Sequence, residues 1–106
     1  MTANLFADIP DELPEEAVAT LAASDHVRIE RIVSRGHASA PGFWYDQAEH
    51  EWVAVLQGSA QIAFDGCSQP VVLERGDHLL IEAHRRHRVV STAPGRETIW
   101  LAVFFR

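Results

Sequence analysis

A chain of 106 residues is long enough to close one hydrophobic core, and its formal charge of −6 argues against a nucleic-acid backbone as the main partner. Its apolar content of 47% argues against general disorder, and no apolar run approaches the roughly 18 residues that span a bilayer. The single cysteine, Cys67, cannot form an internal disulfide, so we expect a cytoplasmic protein.

The sequence of residues 1–25 predicts an irregular segment followed by a short helix. Pro14 suits a first helical position, and the acids Glu15 and Glu16 after it suit the positive end of a helix dipole. One face of this helix would carry the apolar residues Ala17, Val18, Leu21 and Ala22. We expect about ten helical residues, placed outside the domain that residues 26–106 form.

From residue 26 onward the apolar pattern has a period of two, which is typical of half-buried strands. Glycine, proline and Asp65-Gly66 signals separate about eight short strands, as in a β-sandwich or β-barrel. The predicted strands cover residues 26–33, 43–46, 51–57, 59–65, 70–74, 78–82, 88–92 and 98–105.

Two polar stretches carry the spacing of a known family. Glu51 is followed by six residues and then Gly58. Gly76 is followed by five residues, Glu82-Ala83-His84, two residues and His87. These spacings resemble the two motifs of the cupins. The resemblance implies an all-β, cupin-like jelly-roll barrel, with the short N-terminal helix outside it.

The resemblance also implies a metal site, and here the chain departs from the family's pattern. Cupins carry a pair of histidines three or four residues before the glutamate that corresponds to Glu51. A four-residue gap places Trp44 and Asp46 at these positions, whereas a three-residue gap places Tyr45 and Gln47 there. The sequence leaves both registers open.

If Glu51 points into the barrel, strand alternation places Val53 and Val55 inward with it. A glutamate among valines is costly to bury unless it is paired or bound to metal; the alternative is a solvated carboxylate at the barrel mouth. His87 matches the family's ligand position, and neutral imidazole is a common metal ligand. Together with Asp46, these two residues resemble the donor set of a non-haem iron or manganese centre.

We therefore predict one divalent ion, with zinc, iron, manganese and nickel not distinguished, held by Asp46, Glu51 and His87. A small organic ligand would contact Trp44, Tyr45, Gln47 and Arg85. The alternative is a metal-free ligand-binding or sensor protein without catalytic activity. The sequence leaves open whether a reaction takes place and which residues would catalyse it.

A further expectation concerns assembly. Trp52, Ala54 and Leu56 face away from the predicted interior, and the last strand, Ile99 to Phe105, is apolar on both faces. A barrel this small cannot bury all of that surface, so we expect a homodimer. The partners we expect are thus a second copy and a small molecule, with neither nucleic acid nor membrane.

Overall fold

Eight antiparallel strands form two facing sheets, and the chain contains no helix. The computed structural model describes all residues, 1–106. The strands are β1 (Ala17–Ala23), β2 (Val27–Arg35), β3 (His50–Gln57), β4 (Ser59–Phe64), β5 (Val71–Glu74), β6 (His78–Ile81), β7 (His87–Thr92) and β8 (Glu97–Phe105). The larger sheet has the order β1-β2-β8-β3-β6, and the smaller sheet has the order β5-β4-β7. The all-β jelly-roll prediction is confirmed.

The core lies between the two sheets, because each strand turns alternate side chains inward. On β4, for example, Ala60, Ile62 and Phe64 are buried while the residues between them are partly exposed. The core residues are Val53, Val55, Ala60, Ile62, Phe64, Leu73, Ile81, Trp100, Ala102 and Phe104. No helix in the structure has the length and apolar character needed to cross a membrane.

The predicted N-terminal helix is wrong, because residues Ala17–Ala23 form strand β1 instead. This strand pairs antiparallel with β2, from Ala17 opposite Val33 to Ala23 opposite Arg28. A helix of ten residues is marginal by itself, and its propensity gains only tenths of a kcal/mol per residue. As a strand, the segment satisfies the backbone groups along the outer edge of β2. The predicted boundary at residue 25 therefore falls in the turn between two paired strands.

The predicted strand over residues 43–46 reduces to a single bridge. Tyr45 pairs with His87 at the start of β7, through backbone hydrogen bonds of 2.7 and 3.1 Å in the two directions. The rest of the segment between β2 and β3 is irregular. Tyr45 is nevertheless fixed in place, because both of its backbone polar groups are used.

Gly58 is the corner at which the chain passes from the larger sheet to the smaller one. It is the only residue between β3 and β4, and its φ is +86°. A Cβ at this position would lie 2.7 Å from the Cα of Thr98 on β8. The corner therefore needs glycine both for its backbone conformation and for the close approach of β8.

The segment before β1 is tied to the outer face of the larger sheet. Arg31 on β2 donates hydrogen bonds to the backbone carbonyls of Leu5 and Ala7. Val33, next along the same face of β2, and its cross-strand partner Ile99 are both 0% exposed. We attribute this burial to the attached segment.

Candidate functional site

A cavity of about 100 Å³ lies between the two sheets, and twelve residues line it. Eight of the twelve are hydrophobic, so the walls suit an apolar body rather than a highly charged one. The polar side chains that reach it are those of Glu16, Tyr45, Gln47, Glu51 and His87. The volume exceeds that of a single water several times over, and it suits a small molecule.

Strand β3 places Glu51 in this cavity. The strand is paired on both sides, with β6 and with β8, so its alternation of inward and outward residues is firmly set. Val53 and Val55 are 1% and 0% exposed, which confirms that they point inward with Glu51. The Glu51 side chain is itself only 12% exposed. Its carboxylate therefore lies in a mainly apolar cavity, where an unpaired charge is costly.

One carboxylate oxygen of Glu51 faces both of its polar neighbours. Gln47 Nε2 donates a hydrogen bond to Glu51 Oε1 at 3.2 Å. His87 Nε2 lies 3.7 Å from the same oxygen, which is beyond hydrogen-bond distance. The Gln47 amide thus orients the carboxylate, and no hydrogen bond joins Glu51 directly to His87.

His87 is 4% exposed, and its surroundings determine its tautomer. Its Nδ1 lies 2.8 Å from the backbone oxygen of Arg85. A carbonyl oxygen can only accept a hydrogen bond, so Nδ1 carries the proton. In the neutral ring, Nε2 therefore presents a lone pair. The ring is also stacked on Tyr45, with centroids 5.3 Å apart and an interplanar angle of 24°.

Tyr45 contributes a phenol to the cavity. Burial raises the pKa of this phenol, and the negative charges of Glu16 and Glu51 raise it further. Phe43 packs edge-on against the ring, with centroids 4.8 Å apart. Tyr45 is therefore a neutral hydroxyl group at neutral pH, held between two acids and two rings.

Glu16 is a cavity residue that the sequence analysis missed, because the helix prediction placed it in the first turn of a helix outside the barrel; it is an exposed residue that also lines the cavity. In the structure it precedes β1 and accepts a hydrogen bond from the hydroxyl of Ser34. Trp100 Nε1 in turn donates to the Ser34 oxygen at 3.0 Å. Val18, two residues after Glu16, pairs with Ile32, which lines the cavity, so the inward direction of Glu16 depends on a long-range pairing rather than on a local sequence signal.

The sequence left two registers open for the residues before Glu51. In the structure, the residues of the three-residue register lie at the cavity. Tyr45 and Gln47 line it, whereas Trp44 and Asp46 do not. The Asp46 carboxylate lies 2.7 Å from Nδ1 of His84, and its side chain is 52% exposed. The predicted ligands Glu51 and His87 are thus brought together, but Asp46 is not brought to them.

Arg85, the predicted ligand-binding arginine, does not line the cavity either. Its guanidinium lies over the ring of Phe64, 3.6 Å from the centroid. Its neighbour Arg86 lies 3.3 Å from the carboxylate of Asp65. Arg85 acts on the site through its backbone oxygen, which holds His87.

The side chains at the cavity do not fit a resident divalent metal. No group of three or more histidine, cysteine, aspartate or glutamate side chains is arranged to hold an ion. Glu51 and His87 supply one carboxylate and one imidazole, and the neighbouring Tyr45 and Gln47 are neutral groups. Glu16, which also lines the cavity, does not form a group of three with Glu51 and His87. Sites for transition metals in proteins are built from three or four strong ligands, so two are too few for firm retention.

The family assignment follows from a match to known proteins. A family model described as the cupin domain matches residues 31–104. The chain is a cupin. No curated protein sequence matches it. The matched region begins within β2, so Glu16 lies outside the part of the chain that the family model covers.

Two crystal structures show how this cupin compares with others. One is a protein from Ralstonia eutropha JMP134 that carries the provisional name mannose-6-phosphate isomerase. It is 48% identical to this chain and has a TM-score of 0.95. The match covers 99% of this chain and 97% of that chain. A cupin superfamily protein from Desulfitobacterium hafniense DCB-2 is 24% identical with a TM-score of 0.74, covering 92% and 83% of the two chains. The second likeness supports the fold alone.

Proposed function

We propose that this cupin binds a small organic molecule inside its barrel without a resident metal ion. The observation that carries the proposal is the replacement of the family's paired histidines by Tyr45 and Gln47, both of which line the cavity. The retained Glu51 and His87 then serve as hydrogen-bonding groups for a ligand rather than as half of a metal site.

The arrangement is suited to binding because its polar groups are already oriented. Gln47 fixes the Glu51 carboxylate, and the Arg85 carbonyl fixes the His87 ring. The backbone bridge from Tyr45 to His87 joins the irregular segment to β7. Groups that are ordered before binding lose little conformational entropy when the ligand arrives, so even a small contact area gives useful affinity.

Metal analysis of untagged protein, purified without nickel columns or chelators, tests this proposal. We expect well below one metal ion per chain, including after incubation with iron, manganese, zinc and nickel. We also expect a chelator to leave Tm unchanged, because only a bound ion would stabilise the folded state. The Glu51→Gln variant should show the same metal content as the wild type.

Near one ion per chain, lost in the Glu51→Gln variant, would overturn the proposal and restore a metal centre at this cavity. A drop in Tm of several degrees on addition of chelator would count against it in the same way. The exposed Glu74→Gln variant on β5 is the matched control, since it removes an equal charge far from the cavity.

A second candidate is isomerisation of a phosphorylated sugar. It is favoured by the 48% identity to the R. eutropha protein and by that protein's provisional name. The exposed arginines near β7 are its natural phosphate contacts, although Arg85 and Arg86 have aromatic and acidic partners of their own. Turnover of mannose 6-phosphate that requires Glu51 would favour this candidate over the first.

A further inference from the structure

The polar groups of the cavity also indicate what charge its ligand carries. We propose that the cavity binds a small organic cation, a protonated primary amine, between the carboxylates of Glu16 and Glu51. This inference rests on the proposed function and deepens it by naming the chemical class of the ligand.

The polar side chains of the cavity offer more hydrogen-bond acceptors than donors. Glu16 and Glu51 only accept hydrogen bonds when ionised, and Nε2 of neutral His87 also accepts. The Gln47 amide is already donating to Glu51, which leaves the Tyr45 hydroxyl as the other side-chain donor. A complementary ligand must therefore be rich in donors, and an ammonium group offers three.

His87 supplies a second and independent observation. The residue is 4% exposed, and its Nε2 has no hydrogen-bond partner; the nearest acidic oxygen, Glu51 Oε1, is 3.7 Å away. The atom is not one of the fully buried ones that lack a partner, so it is accessible from the cavity that His87 lines. An N–H donor placed against both atoms would satisfy the imidazole lone pair and the carboxylate together.

The net charge of the cavity points the same way. The Glu51 carboxylate is only 12% exposed and, with His87 neutral, has no cation beside it; the Glu16 carboxylate reaches the cavity from the exposed segment before β1. No arginine lines the cavity. The nearby Arg28 is paired with Glu30 at 2.7 Å and with Glu49 at 3.1 Å. The raised pKa of Tyr45, to which both cavity carboxylates contribute, is consistent with this negative field.

The apolar walls suit the rest of such a ligand. Trp100, Phe104 and Tyr45 present aromatic rings, whose faces attract cations. Arg28 already lies over the Phe104 ring, 4.2 Å from its centroid, so a cation does pack against this residue in the protein. The valine and isoleucine side chains of the lining would contact a short hydrocarbon chain.

The test uses three compounds with the same four-carbon chain: butylammonium, 1-butanol and butyrate. They are titrated at neutral pH into ¹⁵N-labelled, metal-free protein, and the indole N–H signal of Trp100 is followed. This signal is assigned with Trp44→Phe and Trp52→Phe variants. Because Trp100 lines the cavity, we expect butylammonium to shift its signal in a saturable way and to bind more tightly than either other compound.

Two substitutions locate the binding. Glu16→Gln keeps an oxygen for the Ser34 hydroxyl, and Glu51→Gln keeps one for the Gln47 amide, but each removes a charge. We expect the Glu51 variant to bind butylammonium roughly tenfold to a hundredfold more weakly, and the Glu16 variant to show a smaller loss because its carboxylate is exposed. The exposed Glu74→Gln variant, which changes the net charge equally, should bind as the wild type does.

The outcomes separate this inference from the proposed function. Butanol or butyrate binding as tightly as butylammonium would overturn the cationic ligand and leave a metal-free binding site in place. Butylammonium binding that neither glutamine variant weakens would overturn its placement between Glu16 and Glu51. If none of the three compounds shifts the Trp100 signal, both the inference and the proposed function fail.

Discussion

Tyr45 is the one tyrosine of the chain, so its phenol can be followed without interference from another. Burial and two neighbouring carboxylates raise its pKa above the ordinary value of about 10. The unfolded chain loses these influences. The contribution of Tyr45 to stability is therefore complete below the unfolded pKa, and it is lost as pH rises through the folded pKa.

We expect the phenolate absorbance of the native protein to appear at higher pH than that of the protein in denaturant. Glu51→Gln should move the native titration back toward the ordinary pKa, because it removes one of the negative charges. Denaturant unfolding across the same alkaline range should show stability falling as Tyr45 ionises. A native titration that coincides with the denatured one would contradict the placement of this phenol.

Gly58 offers a test of the corner between β3 and β4. In the Gly58→Ala variant, the alanine must adopt a positive φ, and its Cβ would lie 2.7 Å from the Cα of Thr98. Gly66→Ala is the matched control, because Gly66 has a φ of +85° and no atom lies within 4 Å of the place that its Cβ would take. We expect the control to cost about 1 to 2 kcal/mol of unfolding free energy.

The Gly58→Ala variant should lose roughly 1 to 3 kcal/mol more unfolding free energy than the Gly66→Ala control, because its Cβ overpacks against β8. Denaturant unfolding of both variants measures the difference. Equal losses would show that β8 moves aside and that backbone conformation alone requires glycine here.

At the scale of single residues, the sequence predicted the two cavity residues that have regular motif spacing. It missed the cavity residues whose positions depend on irregular segments or on long-range pairing. Glu51 and His87 follow from motif spacing and strand alternation. The choice between Asp46 and Gln47 depends on the irregular segment before β3, which has no period to read. Glu16 was missed because strand β1 exists through its pairing with β2, and local composition says nothing of that partner.

At the scale of elements, the outer face of the larger sheet carries one apolar row that crosses all of its strands. Each member lies opposite the next in the strand register, and the row faces away from the core. In order across the sheet, the row consists of Ala22, Ile29, Val103, Trp52 and Leu80.

This apolar row is a smaller surface than the one that the sequence predicted for a homodimer. Ala54 and Ile99, which the sequence offered as interface residues, are 8% and 0% exposed and so are covered within the chain. Leu80, at the edge strand β6, is 46% exposed. An apolar row of this kind is the surface that a second copy would cover.

We expect the wild-type protein to be a dimer at micromolar concentration and Leu80→Glu to be a monomer, because the substitution places a charge in the apolar row. Val72→Glu is the control: Val72 is 54% exposed on β5 of the other sheet, so its variant should remain dimeric. Light scattering coupled to size-exclusion chromatography gives both masses. A monomeric wild type would refute the dimer.

At the scale of the whole molecule, fold class was predictable and strand order was less so. Period-two patterns and turn signals located seven of the eight strands, because these properties are local; β1 was missed, and the predicted strand over residues 43–46 is a single bridge. The place of β8 between β2 and β3 is a long-range property, and neither its apolar sequence nor its turns specify which strands flank it.

The central position of β8 has a consequence for how the protein is made. It is the last of the strands to leave the ribosome, yet without it the larger sheet falls into two separate pairs, β1-β2 and β3-β6. Until β8 emerges, the inner edges of β2 and β3 remain unpaired and apolar. The nascent chain therefore passes through an aggregation-prone interval that no earlier folding step can shorten, and factors that shield nascent chains should influence its yield more than its final stability.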